Sequence, residues 1–238
     1  MNCSNIASFA LSLNMNQINE TKYNLIENSC CSAVDIGLTC LSNTITGINW
    51  SGPNLNGSIP DISFPNVTSM SLSQNKLTGS IPSLSNFPKL VFLTLENNKL
   101  TGNTPKLYEG LEFISYAQNS IEGNLTSIPV SLLGYLAFLN KLEGSIPKLS
   151  TNLLTLNLGK NSLSGVMPDF QNTTLEFLHV DSNHFHGSIG ALPNSLNDFV
   201  ANNNCFQDQY RIFHLSCGMP FWTLMSLPVL FHNFQLRF

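Results

Sequence analysis

Short stretches of alternating apolar and polar residues recur along most of this chain, and an asparagine follows all but the first of them. Leu93-Thr94-Leu95 before Asn98 is a representative stretch. We call these residues the repeat asparagines. They recur every 21 to 23 residues, at Asn75, Asn98, Asn119, Asn140, Asn161, Asn183 and Asn204, and Pro53 stands in the equivalent place of the first of eight repeats. Such a narrow period predicts a solenoid, in which each unit buries its apolar side against its neighbours.

Each repeat predicts one short strand, and positions are counted here from its repeat asparagine. Alternation places Leu93 and Leu95 (positions −5 and −3) inward, and Phe92, Thr94 and Glu96 (positions −6, −4 and −2) outward. The asparagine amide is expected to satisfy backbone groups of the turn. Leucine at +2 points into the core, glycine at +4 permits a tight backbone and proline at +7 ends the unit. Stacked repeats thus form one parallel sheet, roughly 34–38 Å long for eight strands.

The period and pattern are those of leucine-rich repeats. Three segments are more specific: Asn56-Gly57-Ser58-Ile59-Pro60, Thr78-Gly79-Ser80-Ile81-Pro82 and Glu143-Gly144-Ser145-Ile146-Pro147. They resemble the plant-type subclass, which includes polygalacturonase-inhibiting proteins and the ectodomains of receptor-like kinases and receptor-like proteins. The helical spacing of Ile6, Phe9, Ala10 and Leu13, set between cysteines, is similar to that family's N-terminal cap. The resemblance implies an α/β repeat solenoid, a right-handed leucine-rich-repeat superhelix with the parallel sheet on its concave face and disulfide-stapled caps.

The resemblance also implies a disulfide pairing and a division of the chain. It pairs Cys3 with Cys30, Cys31 with Cys40, and Cys205 with Cys217. We expect an N-terminal cap over residues 1–44, eight repeats over residues 45–204 and a C-terminal cap over residues 205–218. Residues 219–238 form an apolar tail outside this pattern. Its apolar part, 219–231, is too short for a membrane span, which needs roughly 20 residues. Out-of-frame or intron-derived sequence, a strip docked on the cap and the stub of a truncated membrane anchor all remain open for this tail.

Composition and charge narrow the function classes. Charged residues make up 10% of the chain and the net charge is −4, which excludes a basic nucleic-acid binder and a highly charged disordered chain. Cysteines clustered at the two ends favour an oxidising compartment. Asn-x-Ser/Thr glycosylation sequons begin at Asn2, Asn19, Asn49, Asn56, Asn66, Asn124 and Asn172. We therefore expect an extracellular or cell-surface protein, although the first residues lack a signal peptide, so the sequence is either a mature fragment or starts late.

No catalytic motif is evident, so the sequence predicts neither an enzyme nor a bound cofactor. One group of side chains suggests a metal site: His179, Asp181, His184 and His186. His179 and Asp181 fall on the outer side of one strand, whereas His184 and His186 lie beyond the Asn183 turn. Because the two pairs point in different directions, the sequence favours an ordinary polar surface over a metal site.

The outward strand positions are the candidate binding surface. We predict that ligand contacts come from Phe92, Glu96, Phe113, Leu136, Phe138, Leu139, Lys160, Phe177, His179 and Asp181. Phe92, Phe113 and Phe177 share position −6 and suggest an interrupted aromatic row, although packing of these rings against neighbouring loops is favoured. In the fifth repeat the frame exposes Leu136, Phe138 and Leu139. Either these residues form an apolar patch, or the strand slips by one residue and buries Leu136 and Phe138, which the sequence favours.

The resemblance implies recognition of a protein, peptide or glycan ligand by the concave face, in a receptor-like ectodomain for signal transduction or in a secreted binder. A co-receptor is a further expected partner, and a membrane is a partner only if a span is missing from this chain. Two alternatives remain open: a secreted inhibitor of a wall-degrading glycosidase, and a structural glycoprotein of the cell wall or matrix. Fold alone does not fix the ligand.

Overall fold

The structure of the protein is a computed structural model, which describes residues 3–15, 19, 21–22, 24, 26, 30–31, 36–52 and 54–206. The chain begins with the helix α1 (Cys3–Ser12). Its residues Ile6, Phe9 and Ala10, together with Leu13, are fully buried, as their helical spacing predicts. Phe9 packs against Trp50 and Phe64, with ring centroids 5.7 and 5.2 Å apart. The helix therefore covers the open apolar end of the first repeat.

The concave face is a sheet of nine strands. In spatial order they are β1 (Leu38–Leu41), β2 (Thr44–Asn49), β4 (Ser69–Ser71), β6 (Phe92–Thr94), β7 (Phe113–Ser115), β9 (Gly134–Leu136), β11 (Thr155–Asn157), β13 (Phe177–His179) and β15 (Asp198–Val200). Strands β1 and β2 pair antiparallel, and the other pairs are parallel. The predicted parallel sheet is thus confirmed, and the cap contributes one additional strand.

The opposite side of the solenoid carries three small parallel sheets. They are β3 (Asn56–Ser58) with β5 (Lys76–Thr78), β8 (Glu122–Asn124) with β10 (Lys141–Glu143), and β12 (Ser164–Val166) with β14 (His184–Gly187) and β16 (Cys205–Phe206). Within residues 54–206 the one helical element is a 3-10 helix, η1 (Leu84–Asn86). No helix in the described part of the chain has the length and apolar character needed to cross a membrane.

The repeat asparagines form a hydrogen-bonded ladder along the solenoid. Asn98 Oδ1 accepts the Leu77 amide of the preceding repeat at 3.0 Å, and Asn98 Nδ2 donates to the carbonyls of Leu72, Leu95 and Glu96. The same bonds recur at Asn75, Asn119, Asn140, Asn161, Asn183 and Asn204. Each asparagine thus satisfies its own turn, as predicted, and also bonds the repeat before it, which the sequence did not indicate.

The residue before each repeat asparagine has a left-handed backbone, which the sequence did not indicate. Position −1 has φ between 53° and 59° at Gln74, Asn97, Gln118, Leu139, Lys160, Ser182 and Asn203. Most of these are polar residues that tolerate this conformation, but Leu139 is bulky and apolar. The turn geometry also aims this side chain outward, and Leu139 is 43% exposed.

One of the three disulfides implied by the resemblance lies entirely among the described residues. Cys31 is bonded to Cys40, as expected. Cys30 and Cys205 are also disulfide-bonded. The partners expected for them, the Cys3 side chain and Cys217, lie outside the described residues, as does the apolar tail. In the same region Trp50 donates its indole N–H to the Ile36 carbonyl at 2.9 Å.

Candidate ligand-binding face

The outward residues of the early repeats form a polar start to the concave face. Ser71 lies in the middle of a chain of hydroxyls, with its Oγ 2.7 Å from both Ser51 Oγ and Thr94 Oγ1. Ser73 Oγ accepts the Glu96 amide at 3.2 Å, and the Glu96 side chain is half-buried. These polar groups already form hydrogen bonds within the sheet, so they do not need a ligand as a hydrogen-bond partner.

Aromatic side chains dominate the next strands. The rings of Phe92 and Phe113 stack at a centroid distance of 4.8 Å, with 12° between their planes. The Phe113 ring leans over Gly134 of the next strand, where a Cβ atom would lie 2.5 Å from Phe113 Cδ2. The glycine therefore provides the space that the ring occupies. Phe177 is 42% exposed and is separated from this stack by Gly134 and Thr155, so the position −6 row is interrupted.

The fifth repeat keeps its frame, so the favoured one-residue slip is wrong. Tyr135 and Ala137 point inward and are fully buried, while Leu136 and Phe138 are half-buried on the outer side. The Tyr135 hydroxyl pairs with the Tyr116 hydroxyl of the preceding repeat inside the core. A slip would break this pair and expose Tyr135. We name the outward group Phe92, Phe113, Leu136, Phe138 and Leu139 the concave patch.

Two small outward residues beneath the concave patch escaped the sequence analysis. Ser115 and Ala117 occupy outward positions −4 and −2, yet neither is accessible to solvent. Ser115 lies in register between Thr94 and Leu136, and its Oγ has no hydrogen-bond partner. The large outward side chains on the adjacent strands could have indicated this burial. The concave patch is therefore a packed layer with a floor of small residues.

The late repeats return to polar and charged residues. Asp181 lies over Gly159, where an added Cβ atom would be 2.4 Å from Asp181 Oδ1. Lys160, the residue after Gly159, is exposed. His179 Nε2 is 3.1 Å from Asp198 Oδ2, but the geometry of this contact is not that of a hydrogen bond. It is an ion pair only when the histidine is protonated.

The histidines considered as metal ligands lie on different sheets. His179 belongs to β13 of the main sheet, whereas His184 and His186 belong to β14 on the opposite side and are exposed. Among the described residues, no cluster of three or more His, Cys, Asp or Glu side chains could hold a metal ion. The polar-surface interpretation is the one that fits this arrangement.

Comparison with known proteins gives structural relatives. Neither a family model nor a curated protein matches this sequence. The solved structure of PEPR1–AtPEP1 is 28% identical, with a TM-score of 0.55, and the match covers 63% of this chain and 24% of that one. The plant peptide hormone receptor RGFR1 in complex with RGF2 is also 28% identical, with a TM-score of 0.52 and coverage of 63% and 31%.

A third structure extends the match along the chain. The leucine-rich-repeat ectodomain of the membrane receptor kinase GASSHO1/SCHENGEN3 from Arabidopsis thaliana, in complex with CASPARIAN STRIP INTEGRITY FACTOR 2, is 21% identical with a TM-score of 0.55. That match covers 87% of this chain and 36% of the ectodomain. This chain thus spans between a quarter and about a third of the length of these three structures.

Proposed function

We propose that this chain, which has the plant-type leucine-rich-repeat fold of receptor-kinase ectodomains, recognises a peptide or protein ligand outside the cell. The observation that carries this proposal is the concave patch. A contiguous exposed apolar area on a folded surface marks an interaction site. One of the similar structures is a plant peptide hormone receptor, RGFR1, in complex with RGF2, which supports a ligand of this class.

The mechanism is binding alone. The strands and the asparagine ladder fix the concave side chains before a ligand arrives, so little conformational entropy is lost on contact. Stacked Phe92 and Phe113 offer a flat apolar surface for an aromatic or aliphatic ligand side chain. Lys160, His179 and Asp181 lie toward the C-terminal end, where they can orient the ligand through charge and hydrogen bonds.

Replacing Phe138 with aspartate is expected to weaken ligand capture at least tenfold. The substitution places a charge in the apolar area and removes ring surface, while Phe138 stays on the outer side of the sheet and away from the core. A phage-displayed peptide library selected on the immobilised wild-type protein supplies the ligand, and the dissociation constants are then measured on both proteins.

Ser69→Asp is the matched control, because Ser69 is also exposed on the concave face but lies among the polar early repeats. It should leave the dissociation constant unchanged. Thermal unfolding of Phe138→Asp close to that of the wild type is required. If the selected peptides bind Phe138→Asp as tightly as they bind the wild type, the concave patch is not the ligand site. Saturable inhibition of a purified polygalacturonase would favour the inhibitor function instead, and detergent-insoluble protein without a saturable ligand would favour a structural role.

We further propose that the chain is secreted and carries N-linked glycans. The sequon asparagines Asn19, Asn49, Asn124 and Asn172 are exposed, whereas Asn56 is half-buried and its Oδ1 accepts a hydrogen bond from Asn14 at the cap. Glycopeptide mass spectrometry of protein secreted from plant cells should find glycans on Asn124 and Asn172 and none on Asn56. Unmodified peptides at all exposed sequons would contradict passage through the secretory pathway. Asn2 lies outside the described residues.

A further inference from the structure

The residue that precedes each concave strand, at position −7, forms a second continuous row along the margin of the sheet. The Glu112 carbonyl accepts the Leu133 amide at 2.8 Å, and the Leu133 carbonyl accepts the Leu154 amide at 2.9 Å. The Leu154 carbonyl accepts the Glu176 amide at 2.8 Å. Successive side chains of the row therefore stand one strand spacing apart, about 4.8 Å.

The section of this row from Glu112 to Glu176 is apolar in its centre and acidic on either side, and the row continues with Val91 before it and Asn197 after it. Leu133 and Leu154 are 39% and 36% exposed, and the neighbouring loop residue Val130 is 55% exposed. We name these three residues the margin ridge. Glu112 is exposed and Glu176 is half-buried, and neither carboxylate takes part in an ion pair with any residue that the structure describes. This section thus presents an apolar centre between two carboxylates that form no ion pair with a described residue, and a third carboxylate, Glu109, accepts the Val130 amide at 3.3 Å beside it.

The margin ridge lies apart from the end of the concave patch that carries Phe138 and Leu139. Leu133 and Leu139 lie at opposite ends of the same concave segment, six residues apart. Between Leu133 and the Phe138 end lie the three residues of β9 (Gly134–Leu136), about 10 Å of extended strand. A ligand bound at the Phe138 end therefore leaves the margin ridge free for another molecule.

We propose that the margin ridge docks an extended segment of a second protein, with basic residues at positions i and i+4 and a large apolar residue at i+2. Glu112 and Glu176 are three strand spacings apart, about 14 Å. In an extended chain, residues i and i+4 are separated by about 13–14 Å and point to the same side. Each basic side chain then faces one glutamate, and the apolar side chain rests between Leu133 and Leu154.

The probe is a fluorescein-labelled peptide with the central sequence Lys-Ser-Leu-Ser-Lys and serine flanks, and fluorescence polarisation measures its binding to the full chain. We expect saturable binding that weakens at high salt, because ion pairs to Glu112 and Glu176 at the protein surface contribute. A peptide with glutamates in place of both lysines, and one with serine in place of leucine, should each bind at least tenfold more weakly.

The double variant Glu112→Lys/Glu176→Lys tests the charge pattern without altering the apolar core. This variant should lose affinity for the lysine peptide and gain affinity for the glutamate peptide. A general loss of folding would not produce the gain. Leu133→Ser/Leu154→Ser should weaken the lysine peptide at least tenfold, whereas Phe138→Asp should leave its affinity unchanged. The proposal is overturned if the lysine peptide does not saturate, if the charge reversal leaves the preference unchanged, or if Phe138→Asp abolishes binding. The last result would place this peptide on the concave patch and leave the proposed function standing.

Discussion

Replacing Gly57 with alanine is expected to lower the free energy of unfolding by about 3 kcal/mol, the sum of a backbone and a packing cost. Gly57 has φ of +100°, a conformation that L side chains rarely adopt. A Cβ atom there would lie 2.3 Å from the Ser12 carbonyl oxygen at the end of α1. Relief of this clash requires α1 to move, which strains the 3.2 Å hydrogen bond from the Asn56 amide to the Leu13 carbonyl. It also disturbs the packing of Phe9.

Gly52→Ala separates the two costs. Gly52 has φ of +80°, but no atom lies within 4 Å of the place its Cβ would take. This control should lose only the backbone contribution, about 1–2 kcal/mol. Urea unfolding followed by circular dichroism measures both variants. Equal losses for Gly52→Ala and Gly57→Ala would mean that α1 does not press on the first repeat as the structure describes.

The second large effect concerns the two tyrosines in the core. Tyr135→Phe is expected to lower the free energy of unfolding by about 1–3 kcal/mol, because it leaves the Tyr116 hydroxyl buried without a partner. Both side chains are inaccessible to solvent, and their rings meet edge to face at 5.8 Å. Tyr116→Phe should cost a similar amount, while the double variant should return close to the wild type. A double-mutant cycle by chemical denaturation measures the coupling, and additive losses would contradict a direct hydroxyl pair.

The same pair predicts sensitivity to alkaline pH. Burial raises the pKa of the Tyr116 hydroxyl well above its ordinary value, with contributions from the neighbouring Tyr135, and burial also raises the pKa of Tyr135. Because both pKa values in the folded state exceed the unfolded value of about 10, the stabilisation is complete below pH 10 and is lost as pH rises above it. Unfolding measured from about pH 9 to 11 should show a steeper loss in the wild type than in Tyr116→Phe/Tyr135→Phe.

The sequence predicted those features that depend on neighbours within a repeat. The alternation around Leu93 and Leu95 and the bonds of Asn98 within its own turn are set locally, so they follow from reading one repeat. The parallel sheet also followed, because the repeats share one period, but the side-chain contacts between adjacent repeats did not. Phe113 can stack on Phe92 only because residue 134, on the strand beyond Phe113, is a glycine without a side chain.

The fifth repeat and the sheet margin illustrate the same limit. The slip around Leu136 was favoured because two large apolar side chains point outward, and the Tyr135 hydroxyl that opposes it finds its partner one repeat earlier. Ser115 is buried by side chains on both sides of its strand. Leu133 and Leu154 were missed because they lie before the strands, and one repeat alone does not show that their side chains are neighbours. Only their position between Glu112 and Glu176 makes them a candidate surface.

The asparagine ladder limits how this surface can change in evolution. Since the Asn98 amide closes its own turn and also bonds the backbone of the repeat before it, an insertion between a strand and its repeat asparagine would leave buried groups unpaired on both sides. Gain or loss of one complete repeat keeps every amide paired. The concave face can therefore lengthen or shorten only in whole steps of about 4.8 Å, so side chains on either side of an added or lost repeat move apart or together by a fixed increment while each keeps its own orientation.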